Sequence, residues 1–195
     1  MNVTEPLRSD EELQAVTVGP RVPLNRTIFL ADYDPEWPRL FEREAARLRA
    51  LLGAHALQVE HVGSTSVPGL CAKPILDMLL VVADSADEAD YLPPLESAGY
   101  TLRIREPDWH EHRMLKGPDT DLNLHVFSAG TAEITRMLTF RDWLRTHPRD
   151  RDRYAQAKRE LAGRVWRHVQ HYADAKTAII EEMLRRALAP SSQDR

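Results

Sequence analysis

A chain of 195 residues with a single cysteine, Cys71, cannot close an internal disulfide, so its fold must hold without one, as suits a reducing compartment. No apolar stretch approaches the roughly 20 residues that a membrane-spanning helix needs. The first residues lack the basic-then-apolar order of a secretion signal, and the expected location is the cytoplasm. Positive charge is not in excess either: 26 lysines and arginines stand against 30 acids, a net charge of −4. That balance excludes a broad electrostatic grip on nucleic acid or on an anionic membrane, so any recognition of phosphate has to be local. No Gly-Lys-Ser/Thr follows a glycine-rich turn, which rules out a P-loop. Repeats and low-complexity tracts are absent as well. The length suits one well-buried domain and would cramp a second.

What is present is concentrated in residues 60–82. Residues 57–62 read as a strand, Gly63-Ser64-Thr65-Ser66 as a short polar loop, and residues 75–82 as a second strand. Glycine removes the Cβ that would keep phosphate oxygens from backbone N–H groups, and three successive hydroxyls add donors. The alternative reading is a turn whose hydroxyls cap a short helix. Asp77 interrupts an apolar run just ahead of Met78-Leu79-Leu80-Val81-Val82, a segment apolar enough for a central strand covered on both faces. A buried carboxylate without partners costs several kcal/mol, so something must satisfy it: a structural cation such as Lys73 or an arginine, or a metal ion bound beside phosphates.

Elsewhere the pattern is plainer. Residues 1–24 are polar, broken by Pro6, Pro20 and Pro23, and read as a loosely held extension. Residues 26–30 are a short strand candidate. Asp34-Pro35-Glu36 starts a helix, with a capping carboxylate and a proline in the first turn, and apolar residues recur at helical spacing from Leu40 to Leu52 until Gly53. Residues 85–97 read as helical with a break at Pro93-Pro94. Strands are expected at 100–105, 112–116 and 122–127, and helices at 132–146, 150–168 and 173–188, with a loose tail at 190–195. Strands in the middle and helices at both ends define an α+β domain, residues 25–189, rather than a regular alternation of strand and helix.

The pairing of Gly63-Ser64 with Asp77, with twelve residues between Ser64 and the acid, resembles the signature of the nucleotidyltransferase (DNA polymerase β-like) superfamily. The longer string Glu60-His61-Val62-Gly63-Ser64-Thr65-Ser66-Val67-Pro68-Gly69-Leu70, followed by Ala72-Lys73-Pro74-Ile75 and Asp77, resembles the GrpB (UPF0157) family in particular. Tyr33-Asp34-Pro35-Glu36-Trp37, Asn123-Leu124-His125-Val126, Phe140-Arg141-Asp142-Trp143-Leu144, and Tyr172 with Lys176 carry the likeness over residues 28–188. The resemblance implies a nucleotidyltransferase-like mixed β-sheet flanked by helices, with a helical C-terminal third. It also implies a nucleoside triphosphate with Mg²⁺ and an unidentified small acceptor. Domains resembling this one are also joined to dephospho-CoA kinase, which makes an accessory role the rival expectation.

On that reading Gly63, Ser64, Thr65 and Ser66 face the phosphates, and Lys73, stiffened by Pro74, contacts them or is merely solvated. Asp77 holds the metal. Superfamily members generally carry a second acid two residues later; here that position is Leu79, a departure that lowers the expectation of catalysis. By alternation Asp121, Asn123 and His125 share one face of the later strand, so an amide and an imidazole stand where further carboxylates are expected, with Asn123 a candidate metal ligand. His125 is the candidate general base, since imidazole ionises near neutrality. Trp109-His110-Glu111-His112-Arg113 is dense in chemistry; in extended chain His110 and His112 share one face and Arg113 takes the other, giving a possible pocket wall or simply a polar strand face. Three histidines suggest zinc, yet no helical metal spacing or cysteine cluster supports it. Tyr172 and Lys176, four apart on a predicted helix, resemble a family element that closes over the nucleotide; otherwise they are a packed tyrosine and a solvated lysine. Arg136, Arg141 and Arg145 form either a basic stripe facing the cleft or ordinary helix surface.

Overall fold

The computed structural model describes residues 7–21 and 23–189. Five strands form one mixed sheet: β1 (Gln58–Val62), β2 (Leu76–Val82), β3 (Thr101–Glu106), β4 (His112–Lys116) and β5 (Leu122–Ser128), in the order β1-β2-β5-β4-β3. Only β2 and β5 run parallel, with Asp77 opposite Asn123, Leu79 opposite His125 and Val81 opposite Phe127; the other pairs are antiparallel. The α+β expectation is met. Helices α1 (Asp10–Val16), α2 (Glu36–Leu52) and α3 (Leu92–Ser97) precede the last three strands, and α4 (Ala132–Thr146), α5 (Pro148–Ala162), α6 (Val169–Asp174) and α7 (Thr177–Ala187) follow them.

Alternation along β2 sorts the two faces of the sheet. Leu76, Met78, Leu80 and Val82 point with Leu122, Leu124 and Val126 into the main core, closed by Trp37, Ala45, Leu48 and Leu52 of α2. Each such leucine, taken fully out of water, stabilises the fold by about 2 kcal/mol before cavity effects. Asp34 accepts a hydrogen bond from the Glu36 amide at 2.8 Å, as expected of a capping carboxylate, but Pro35, expected at the first helical position, stands just before the helix; Gly53, at φ 52°, ends it. On the opposite face Leu79, Val81 and Phe127 pack with Val62 and Ile134 under α4. A third cluster joins Val67, Leu70 and Cys71, just past the polar loop, to Leu144 of α4, Tyr154 and Ala155 of α5 and Met183 of α7. The C-terminal helices are thus fastened to the loop that precedes Asp77.

Several expected boundaries differ. Within residues 1–24, where no regular element is expected, Asp10–Val16 is a helix with a Ser9–Glu12 capping box, and Leu13 is buried. Asp10 is held by His168 at 2.7 Å and by Arg167. Residues 26–30 form no strand; Arg26 makes one bridge to Trp166. Residues 85–97 contain a 3-10 turn, Glu88–Asp90, and only then α3, with Pro93 and Pro94 in its first turn. Pro148 does not merely stop α4: it occupies the first turn of α5. The helix expected at 150–168 ends at Ala162, because Trp166 turns back to donate its indole N–H to the Leu161 carbonyl at 2.8 Å while its backbone amide bonds to Arg26. The expected 173–188 helix is divided between α6 and α7 around Ala175 and Lys176. The tail at 190–195 lies outside the described residues, and among the described residues no helix is long and apolar enough to cross a membrane.

Candidate functional site

The polar loop and Asp77 lie in contact. Gly63 has φ 66°, and a Cβ added there would come within 2.8 Å of the Asp77 Cβ, so only glycine lets the loop backbone lie against this side chain. Ser64–Ser66 form a single 3-10 turn. The three hydroxyls part ways. Thr65 Oγ1 bonds with His61 Nε2 at 3.0 Å, and Ser66 Oγ donates to the Gly63 carbonyl at 2.6 Å. Thr65 and Ser66 therefore stabilise the turn from within, and Ser64 alone of the three remains half-exposed. His61 is stacked on Phe41 at 4.9 Å, and burial, reinforced by the Arg145 charge, pushes its imidazole down to about 4.

Asp77 keeps 32% of its side chain open to solvent, so it is reachable from outside. It receives the Asn123 amide N–H at 2.8 Å on Oδ1, and His125 Nε2 stands 3.7 Å from the same oxygen. Among the described residues its one ion-pair partner is this histidine, not an arginine or a lysine. Burial opposes the charged carboxylate, but the neighbouring His125 and Asn123, with the Lys73 charge, outweigh it and hold the group at about 2. Asn123, expected as a possible metal ligand, presents its donor end to Asp77 in this arrangement.

His125 continues into a chain of polar groups. Its Nδ1 lies 3.0 Å from His112 Nε2, and His112 Nδ1 lies 2.7 Å from Glu106 Oε2. The His112 ring is 4% exposed, stacked between His125 and Phe127, and burial first of all drives it down to about 4. Glu106 is held below the usual carboxylate range; burial works against this, but His112 and Arg8 outweigh it. The neighbours of His112 do not join the site. His110 and Glu111 take φ of 57° and 50° in the turn before β4, so the expected extended alternation of His110 with His112 fails. Arg113 is buried against Glu88 at 2.6 Å and Glu111 at 3.2 Å.

The other wall is cationic and helical. Lys73 is half-buried, with its pKa lowered by burial against the pull of Asp77. Lys158 of α5 is 2% exposed, donates to the Cys71 carbonyl, and lies 5.4 Å from the Tyr154 ring centre. Burial, then the Lys176 charge, push its ammonium down to about 7. Lys176, in the break between α6 and α7, stands 4.6 Å over the Tyr172 ring, and burial followed by Lys73 brings it to about 8. Tyr172 itself is 1% exposed against Trp166, and its hydroxyl has no hydrogen-bond partner among the described residues. It supports the lysine and does not line an open surface. Lys158 escaped the sequence reading because in Ala157-Lys158-Arg159-Glu160 it looks like any helix-surface lysine; only a helical projection of α5, placing it with Tyr154 and Ala162, hints otherwise. The three arginines of α4 are structural ties: Arg145 clasps the Ser66 carbonyl through Nε and Nη2 at 3.0 and 2.9 Å, Arg141 binds Glu60 at 2.7 Å, and Arg136 binds Glu133 and Glu181.

These features define an α+β domain in which one reachable acid lies against a tight glycine-led loop, near three lysines whose charges act on one another. The chain belongs to the GrpB family, whose model, described as GrpB protein, matches residues 27–186. It is 69% identical over 182 residues to the UPF0157 protein BH1888 of Halalkalibacterium halodurans, covering 93% of each chain. The crystal structure of the conserved protein GrpB from Enterococcus faecalis superposes with a TM-score of 0.72 at 35% identity, over 82% of this chain and 97% of that one. A protein named dephospho-CoA kinase from Mycolicibacterium paratuberculosis is 30% identical over 79% of this chain, which spans 44% of that longer relative.

Proposed function

We propose that this chain binds a nucleoside triphosphate together with a divalent cation and transfers a nucleotidyl group to a small acceptor. The observation that carries this reading is the crowding of Lys73, Lys158 and Lys176, each lowered by burial and close enough for their charges to disfavour one another, beside Asp77 and the Gly63–Ser64 turn. Burying like charges together is unfavourable unless an anion is to be received, and a triphosphate supplies several negative charges at once. The facing wall offers the accompanying cation, expected to be Mg²⁺ on the family resemblance, a carboxylate held ionised, the hard oxygen donor that such an ion takes. Bound there, the cation would neutralise phosphate charge.

The residues divide the work. Gly63 and Ser64 offer backbone N–H groups and one hydroxyl to the phosphates. Lys73, Lys158 and Lys176 offset charge that develops on the departing pyrophosphate. Tyr172 acts through Lys176. His125, half-exposed next to Asp77, is placed to accept the acceptor's proton. The test is titration calorimetry with each of the four common nucleoside triphosphates, with and without divalent cation, followed by pyrophosphate release across a panel of alcohols, amines and acids. Cation-dependent binding with release supports transfer; absence of nucleotide binding removes the proposal.

One observation favours a second reading, in which the pocket binds but does not turn over. Leu79, where a second acid would sit, is fully buried with Val62 and Phe127 and leaves no carboxylate to clamp a second ion. Nucleotide binding without pyrophosphate release for any acceptor would select this reading.

A further inference from the structure

A cavity of about 420 Å³ opens beside β1, the outer strand of the sheet, and its lining includes neither Asp77 nor a lysine. Tyr33, just ahead of α2, and Pro38 and Phe41 on α2 give it apolar surface. Arg141 and Arg145 of α4, with Arg151 of α5, give it three guanidinium groups. Tyr33 and Phe41 are half-buried, so part of each ring stays open. Phe41 is held flat on His61, at 4.9 Å with 10° between the ring planes. A fixed ring left partly uncovered offers a platform to another flat, apolar group.

The three arginines are not equally satisfied. Arg141 is neutralised, bonding Glu60 at 2.7 Å and Asp142 at 2.8 Å. Arg145 and Arg151 are instead fastened by main-chain carbonyls, Arg145 to Ser66 at 2.9 and 3.0 Å and Arg151 to Pro68 at 3.3 Å. A carbonyl fixes a guanidinium head without cancelling its charge. Their carboxylate partners, Asp142 at 3.4 Å and Asp152 at 3.7 Å, are exposed, and water screens such pairs. Arg151 Nε is shielded from solvent and makes no hydrogen bond among the described residues, so a donor is left without an acceptor. Burial, then the Arg141 charge, lower the Arg145 pKa, as expected of a cation without full compensation.

The geometry points to a binding site for a small organic monoanion, a carboxylate carried on a flat apolar body, with the carboxylate taken by Arg145 and Arg151 and the body packed on Phe41 and Tyr33. Planar guanidinium forks held in place by the backbone match the two oxygens of a carboxylate. Glu42 and Glu60 also line the cavity, so guanidinium groups exceed carboxylates there by one. That balance suits a single negative charge and disfavours a chain of phosphates, whose several charges belong with the lysines. The inference stands apart from the nucleotide reading: Gly63, Ser64, Asp77, His125 and the three lysines are all absent from this lining.

The test titrates phenylacetate into the full chain, followed by nuclear magnetic resonance, with and without tripolyphosphate and with phenylacetamide and phenyl phosphate as comparators. The expected result is saturable binding of phenylacetate, with cross-relaxation from its ring protons to those of Phe41 and Tyr33. Its affinity should not change when tripolyphosphate is present. Phenylacetamide, which keeps the shape and lacks the charge, should bind about tenfold more weakly, and so should phenylacetate in Arg151→Gln with unchanged circular dichroism. Should that variant lose its fold, the contacts to Phe41 and Tyr33 in the unmodified protein still decide. Equal affinity for the amide, or full affinity in a folded Arg151→Gln, reduces the cavity to an apolar crevice and overturns the inference. Displacement by tripolyphosphate puts the ligand on the lysines and ends it; tighter binding of phenyl phosphate overturns the carboxylate assignment. Absence of saturable binding for phenylacetate, benzoate and indole-3-acetate alike removes it. The nucleotide titration can fail without altering any of these outcomes.

Discussion

The two walls of the candidate site are built on opposite principles. The sheet wall, with Asp77, Asn123, His125, His112 and Glu106, joins each polar group to the next by a hydrogen bond or close polar contact, so burial is offset group by group. The helical wall does the reverse: Lys158, buried, and Lys176, half-buried, lie beside aromatic rings with carbonyl and π contacts but no carboxylate within ion-pair distance among the described residues. One wall is satisfied as it stands. The other carries unmet charge, and that imbalance separates a scaffold from a receptor for anions.

Acid should expose the sheet wall first. His61 and His112 ionise at about 4 in the fold against 6.5 when exposed, so below 6.5 the unfolded chain binds protons that the folded chain refuses. Stability then falls as pH drops from 6.5 toward 4, by about 3 kcal/mol for each histidine. His61 faces Arg145, Arg141 and Asp77, and His112 faces Glu106, His125 and Arg113, so the pairs of like charge steepen the loss. Denaturant melts at half-unit pH steps measure it, and a flat profile across this window would remove the asymmetry between the walls.

Gly63→Ala should lower stability by about 3 kcal/mol, because it adds a strained φ to a contact with Asp77 that has no room for a methyl group. Gly130→Ala is the control for φ alone, since a Cβ there meets nothing within 4 Å. Equal losses in the two variants would show that the approach to Asp77 contributes nothing.

Lys158→Met should stabilise the ligand-free protein by about 2 kcal/mol while weakening tripolyphosphate binding, since it removes a buried ammonium the fold does not need. The sign of its pH dependence follows from the lowered pKa. Between about 7 and 10.5 the unfolded chain holds the extra proton, so the unmodified protein gains stability as pH rises through this window and the variant does not. A destabilised variant with an unchanged pH slope would make Lys158 an ordinary structural cation.

The smallest effect is in protons. At pH 8.5 Lys158 and Lys176 are largely neutral in the free protein, and an arriving polyphosphate raises both pKa values, so binding should take up about one proton. Calorimetry in two buffers of different ionisation enthalpy reads that number directly; proton release would contradict the receptor role.

The sheet wall was legible in the sequence and the helical wall was not, for a physical reason. Asp77 breaks a run of two-residue alternation, and Gly63-Ser64 stands at a strand end, so both depart from a local pattern. His125 and Asn123 follow from the same alternation. Lys158 breaks no pattern, because lysine is at home on any helix and only the docking of α5 onto Cys71 buries it. The interruption that sets Lys176 over Tyr172 is likewise tertiary: four residues apart suggests one helix, whereas Lys176 sits between two. Arg113 and His110 erred in the other direction, since a turn with positive φ removes the extended geometry that made them look like a pocket wall.

The most direct test of the account is the calorimetric titration of nucleoside triphosphate, with and without divalent cation, into the unmodified protein and into Asp77→Asn, which keeps the shape and removes the charge. The account predicts cation-dependent binding weakened about a hundredfold in the variant, with cation-free binding little changed. Equal affinity of the two proteins in the presence of the ion would contradict it.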